Sequence, residues 1–277
     1  MRARRSARSV EPTMQPASHD MPADDGGNLS FLGDIAAKLR AVPLQRVTGV
    51  SAAEASGALI RIRIAGSRAS APLDTHPLVR RRYAERGYEL PAAAPDPHLY
   101  TVAAYEQGNL VGTVGVRIDS PHGLSADDLY PQELAALRGG GLRLCEFTRL
   151  AVDDGALSMT VLASLFHTAY LYAHRLCGVD AAVIEVNPRH VPFYVRALQF
   201  ERSGPERHNR RVDAPAVLLH VPFRRIAEGV ARYAGKPELA AATRTLYPYG
   251  FSPAEEEGIL NRLRLQYEAR AQQAALA

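Results

Sequence analysis

The stretch from residue 142 to 186 constrains the fold more than any other part of the chain. Residues 142–152 read as a long strand. Residues 157–176 read as a helix whose apolar side chains cover most of its circumference, and 181–186 as a nearly continuous apolar strand. A helix apolar nearly all round must be largely buried, and a strand without polar alternation belongs in the middle of a sheet. Strand, buried helix and strand in succession make one parallel crossover. Around it, residues 58–64 alternate apolar and charged, and a basic helix over 78–88 ends near Gly87. Strands over 98–105 and 110–118 flank the hairpin signal Gln107-Gly108-Asn109. A short helix over 129–137 is ended by Gly139-Gly140-Gly141. Asn187-Pro188 is an N-cap followed by proline at the first helical position, and 214–223 is a last strand. The expected fold is a three-layer α/β domain with a mixed, mostly antiparallel central sheet flanked by helices.

The rest of the chain divides around that domain. Residues 1–28 are a Ser-, Pro-, Asp- and Gly-rich tail expected to be disordered. Residues 29–57 are a lead-in with a short helix over 31–40, the α/β domain spans 58–222, and 223–277 form a helical extension. In that extension Phe223, Ile226, Ala227 and Val230 make an apolar stripe. Ser252-Pro253-Ala254-Glu255 is a capping box, and Leu260, Leu263 and Tyr267 follow on one face.

Charge and cysteine content exclude several classes. The formal net charge is +4, carried almost wholly by arginine. That is too little to point to nucleic acid, and no nucleic-acid-binding motif accompanies it. No apolar run approaches the ~20 residues of a membrane span. Basic residues 1–5 are not followed by an apolar segment, so a secretory leader is not expected. Cys145 and Cys177 form no C-x-x-C pattern, as befits a reducing cytoplasm. His167, His174 and Cys177 could share a helix face but lack paired-ligand spacing, so no metal site is expected.

Chemistry concentrates in Cys145-Glu146-Phe147-Thr148-Arg149-Leu150-Ala151-Val152. In a regular strand Glu146, Thr148 and Leu150 point one way and Phe147, Arg149 and Ala151 the other. An acid and an arginine in an otherwise apolar strand are costly to bury unless paired. They either fix the sheet as a buried network or line a cleft as base and cation. A β-bulge there would re-aim one side chain and free main-chain N–H groups around Phe147 to Leu150 for an oxyanion. Glu185 ends a buried strand, as a partner for an arginine or as a group facing substrate.

The order of elements, with Glu146-Phe147-Thr148-Arg149 on the fourth sheet strand and Asn187-Pro188-Arg189-His190-Val191-Pro192-Phe193-Tyr194 at a helix start, resembles the GNAT N-acyltransferase superfamily. Glu-x-Ser/Thr-Arg is the signature of acyl-homoserine lactone (autoinducer) synthases and of FeeM-type long-chain N-acyl amino acid synthases. The Asn-Pro-x-His-x-x-Phe-Tyr run and the Arg82-Tyr83…Gly87-Tyr88 helix look closer to the latter. The resemblance, over about 58–222, implies a GNAT-like fold. It also implies transfer of a long acyl group from an acyl carrier protein thioester to an amino acid, in the cytoplasm, with no tightly bound cofactor. Glu146 would be the general base, with Thr148 and Arg149 beside it. Arg117, Phe147, Arg82 and Glu185 would contact substrate. An acyl-homoserine lactone synthase using S-adenosylmethionine is an alternative, weakened by the absence of tryptophan. A CoA-dependent acetyltransferase and a catalytically dead carrier- or lipid-binding module are others.

The donor expectation has its own basis. The loop after the central strand, Asp153-Asp154-Gly155-Ala156-Leu157-Ser158, has two acids and one glycine where acetyl-CoA enzymes cradle a pyrophosphate. Two arginine groups, Arg80, Arg81, Arg82 and Arg86 on one helix and Arg202, Arg207, Arg210 and Arg211 on one loop, are either solvated faces or a dock for an acidic carrier protein. The N-acylated product could associate with membranes. Gln199, at an expected left-handed position where the resembled families usually carry glycine, costs about 1 kcal/mol or forces a different turn.

Overall fold

The computed structural model describes residues 60–66, 75–85, 87, 96–153 and 159–275. The expected tail, the lead-in and residues 154–158 lie outside the described residues, as do Arg86 and Tyr88.

Among the described residues, eight strands and seven α-helices follow in chain order. They are β1 (Ile60–Gly66), α1 (His76–Ala84), β2 (Leu99–Glu106), β3 (Asn109–Ile118), α2 (Pro131–Gly139), β4 (Leu144–Val152), α3 (Met159–Tyr170), β5 (Ala181–Val186), α4 (Val191–Leu198), β6 (Glu201–Arg202), β7 (Arg207–Asn209), β8 (Ala214–Pro222), α5 (Phe223–Tyr233), α6 (Ala240–Thr243) and α7 (Pro253–Ala275). The sheet order is β1-β2-β3-β4-β5-β8-β6, with β7 also on β8. Every pairing is antiparallel except β4 with β5. This is the mixed, helix-flanked sheet that the pattern of apolar runs predicts.

Local chemistry explains the joints. The β2–β3 hairpin is tighter than expected: Glu106 pairs with Asn109, so only Gln107 and Gly108 form the loop, both at positive φ. That is the twist a two-residue hairpin requires. Asn187 accepts from the N–H of Arg189 at 3.2 Å and opens a short 3-10 turn into α4. Gln199 ends α4 in the left-handed conformation, φ 60°. The crossover helix is α-helical only to Tyr170 and then widens into a π turn, Leu171–Leu176, which the apolar periodicity did not reveal.

One face of the sheet packs on α3, whose side chains are buried almost throughout. Phe147 anchors that face, its ring 5.9 Å from Phe166 and 6.2 Å from Phe223. The other face carries Leu144, Val183 and Leu218 against Tyr130 and Leu134. The extension joins the first face: Ile226, Val230, Leu246, Tyr247 and Leu263 belong to the same apolar cluster as Phe147. His167 pins it there, accepting from the N–H of Phe251 at 3.1 Å and facing Glu256 at 3.3 Å. Ser252 and Glu255 form the expected capping box, and Leu260 and Leu263 are buried, whereas Tyr267 is exposed.

Candidate active site

The centre of the site is a bulge in β4. Arg117 pairs with Glu146, Val116 with Phe147 and Gly115 with Thr148, but Thr113 next pairs with Ala151. Three residue steps on β4 therefore oppose two on β3, and Arg149 takes a positive φ of 50°. Gly115 makes room: a Cβ there would lie 3.2 Å from the Thr148 carbonyl oxygen and 3.0 Å from its Cγ2. The bulge changes the phase of the strand, which corrects the alternation expected above. Leu150 packs with Phe147 in the core on the α3 side, and Ala151 turns to Leu78 and Val79 of α1. Arg149 is left half-buried in the electrostatic field of Arg117, Glu146, Asp96 and Tyr83 instead of on the face opposite Glu146.

Glu146 is 3 % exposed. Its Oε2 accepts from the main-chain N–H of Ser125 at 2.7 Å, with Arg117 Nη1 3.8 Å away. Burial pushes the carboxyl above its ordinary range, while Arg117 and Ser125 pull against that rise. Arg117 is itself committed, its Nε donating to Asp96 Oδ2 at 2.7 Å and its Nη1 to Ser125 Oγ. Among the described residues, no carboxylate lies within ion-pair distance of Arg149. Burial and the neighbouring Arg117 charge both lower its pKa.

Glu185 lies in the same field. Its Oε2 accepts from Arg211 Nη2 at 2.5 Å and from Asn209 Nδ2 at 2.9 Å, and burial pushes its pKa up to about 7 against the pull of Arg211. Phe147 stands apart from these charges, on the opposite face. It lines a small apolar cavity, about 20 Å³, together with Phe166 and with Ile226, Val230, Leu246 and Tyr247 of the extension. Arg82 is buried on α1 and donates to Glu85 at 2.7 Å. Thr148 is half-buried against Gly115.

The arginine groups divide differently from the sequence expectation. Arg207 is bound by Glu133 at 2.7 Å and Arg211 by Glu185, so both serve the fold, while Arg80, Arg202 and Arg210 are exposed. Asp153 faces Arg81 at 3.2 Å, so its charge is partly offset; the rest of that loop is outside the described residues. Ser125 and Asp96 were invisible as site residues in the sequence. They lie in a short 3-10 turn and a loop, and only the fold carries them to Glu146 and Arg117.

A mixed sheet with a bulged fourth strand and a β4–β5 pair that ends early is a GNAT-like fold, and here it carries a buried glutamate beside arginines. The family model for the N-acyl amino acid synthase FeeM matches residues 74–222. The chain belongs to that family and is an N-acyltransferase. The solved structure of FeeM, an N-acyl amino acid synthase from uncultured soil microbes, is 29% identical, covering 61% of this chain and 93% of that one at a TM-score of 0.55. The acyl-homoserine lactone synthase LasI is 18% identical over 60% of this chain and 91% of its own, at 0.45. ElaA of Escherichia coli is 11% identical over 58% and 99%, at 0.42. No curated protein matches the sequence. No helix among the described residues is long and apolar enough to cross a membrane.

Proposed function

We propose that the chain moves a long-chain acyl group from an acyl carrier protein thioester to the amino group of an amino acid, with Glu146 as general base. The observation that carries this reading is the placement of Glu146. It is the last β4 residue paired with β5, opposite Val183, and beyond it the β5-facing edge of β4 has no ladder partner. A thioester laid into that opening meets unpaired main-chain N–H groups that polarise its carbonyl. An amine bound beside it loses a proton to Glu146, directly or through a water.

The acceptor's carboxylate needs a cation. Arg117 is engaged by Asp96, whereas the bulge presents Arg149 with no carboxylate partner among the described residues, so Arg149 takes that role and pairs with the acceptor's carboxylate. Phe147, on the other face, lines the small apolar cavity under the extension, and an acyl tail passing beside it would end there as the aliphatic walls move apart. The exposed Arg80, Arg202 and Arg210 supply a basic surface for an acidic carrier.

The test is mass spectrometry of lipid extracts from cells overproducing the chain. N-acyl amino acids are expected with the unaltered chain and absent with Glu146→Gln. Full product from a folded Glu146→Gln chain would remove Glu146 from the mechanism. The purified chain offered matched acyl carrier protein and CoA thioesters then decides the donor.

A further inference from the structure

We infer that Glu185 is a second proton-handling carboxylate: it takes the first proton from the acceptor's ammonium group, leaving the second to Glu146. The inference rests on the N-acyl transfer reading above.

The strand register places the two acids. β4 and β5 pair only at Leu144–Ala181, Cys145–Ala182 and Glu146–Val183. Glu185 stands two residues past Val183 and so shares its face. It is paired with Leu218 of β8, which packs in one cluster with Val183. Glu146 and Glu185 thus flank the mouth of the opening between β4 and β5, on the same side.

A single network couples them. Arg211 donates from Nη2 to Glu185 and from Nη1 to the carbonyl of Ser125 at 2.9 Å, and the N–H of the same Ser125 holds Glu146. Arg211 and Asn209 both occupy Oε2 of Glu185, whereas its Oε1 is buried with no hydrogen-bond partner. A buried carboxylate oxygen without a donor is costly, and an ammonium N–H is the donor that offsets the cost. The charged and titratable groups facing Glu185 are Arg211, Glu146, Asp128 and the Tyr130 hydroxyl.

The reaction needs two acceptors for protons. An amino acid enters as its ammonium form. Its first N–H proton goes to Glu185, which passes it to solvent. The nitrogen lone pair then forms the C–N bond at the thioester carbon. The resulting N⁺–H gives its proton to Glu146. The C–S bond breaks as the carbonyl reforms, and the thiolate takes that proton from Glu146. Thioester and ammonium become amide, thiol and one released proton. Glu185 is the more exposed of the two, 11% against 4% at the side chain, which suits the acid that exchanges with solvent.

The experiment uses the full chain with an acyl carrier protein thioester and two acceptors: an equimolar mixture of the twenty amino acids, and hydroxylamine, which is already neutral at neutral pH. Glu185→Gln is expected to lose ~10²-fold in rate with amino acids at neutral pH. The loss should shrink to a few-fold with hydroxylamine, and also with amino acids above about pH 9, where α-amino groups (pKa ~8) are free bases. Glu146→Gln should be impaired with both acceptors at both pH values. Glu185→Asp, which keeps a carboxylate if the amide variant does not fold, should be slower with amino acids only. An equal loss with both acceptors in either Glu185 variant, or an unimpaired Glu185→Gln, overturns the inference. With every rate taken above that of the same mixture lacking the chain, since hydroxylamine also cleaves thioesters unaided, absence of any excess amide or hydroxamate from the unaltered chain overturns the N-acyl transfer reading instead.

Discussion

The main-chain N–H of Ser125 donates to Oε2 of Glu146 at 2.7 Å, across 21 residues of sequence. Ser125 begins the 3-10 turn Ser125–Asp128, preceded by Leu124 in an extended conformation, ψ 163°. Proline is tolerated at the first position of such a turn, after an extended residue. Ser125→Pro therefore removes the donor while keeping the turn. Without it the Glu146 carboxyl rises further, and the acid limb of the pH–rate profile moves to higher pH, lowering the rate at neutral pH. Ser125→Ala keeps the N–H and loses only the hydroxyl, the smaller of the two Ser125 contributions, so it should move that limb less than Ser125→Pro. Steady-state rates across pH for the two variants check this.

Arg149 pays for its position in backbone strain, since a left-handed conformation costs a non-glycine residue about 1–2 kcal/mol. Arg149→Gly relieves that cost and removes the guanidinium. Thermal melts should show Tm unchanged or raised. The KM for the acceptor amino acid should rise at least tenfold, with a smaller change for the acyl donor. A large fall in Tm would mean that Arg149 serves the sheet instead of the substrate.

Glu185 makes stability pH-dependent in an unusual direction for a carboxylate. Its folded pKa of about 7 lies above the model-compound value of 4.5. The folded state then binds more protons than the unfolded state between those values, and stability falls as pH rises through that window. The contribution is about 3 kcal/mol at most, from 2.5 units at 1.36 kcal/mol each. Glu185→Gln should flatten the curve between pH 5 and 8 relative to the unaltered chain, measured by urea denaturation at each pH. Asp127, Glu133 and Glu256, whose carboxyls are lowered by arginine or histidine partners, give the opposite slope in both proteins and cancel in the comparison.

The cavity beside Phe147 is walled on its far side by Ile226, Val230, Leu246 and Tyr247. Enlarging one of these shortens the space for an acyl tail. Val230→Phe should shift the product toward shorter chains, at a stability cost of about 1–3 kcal/mol from overpacking. Chain-length profiles of the N-acyl products give the readout. An unshifted profile would place the tail elsewhere.

Fold class was legible in the chain because it depends on period. The apolar runs over β4, α3 and β5, the hairpin at Gln107-Gly108 and the cap at Asn187 each report on neighbours a few residues away, where backbone geometry alone sets the pattern. Glu146 and Arg149 were legible for a related reason: charges in an apolar strand are expensive and must have a use.

What only the tertiary structure decided is how those charges face one another. Alternation placed Arg149 on the side opposite Glu146; the bulge beside Gly115 broke the alternation and left Arg149 in the field of Glu146 and Arg117. Ser125 and Asp96 reached the site from a short 3-10 turn and a loop with no periodicity to announce them, and Arg207 and Arg211 turned from a surface cluster into partners of Glu133 and Glu185. A strand's register can slip by one residue at little local cost, yet that slip re-aims every side chain beyond it. The cost is settled by partners distant in sequence, so the residue types of a catalytic centre can be read from the chain while its geometry is set by the packed sheet.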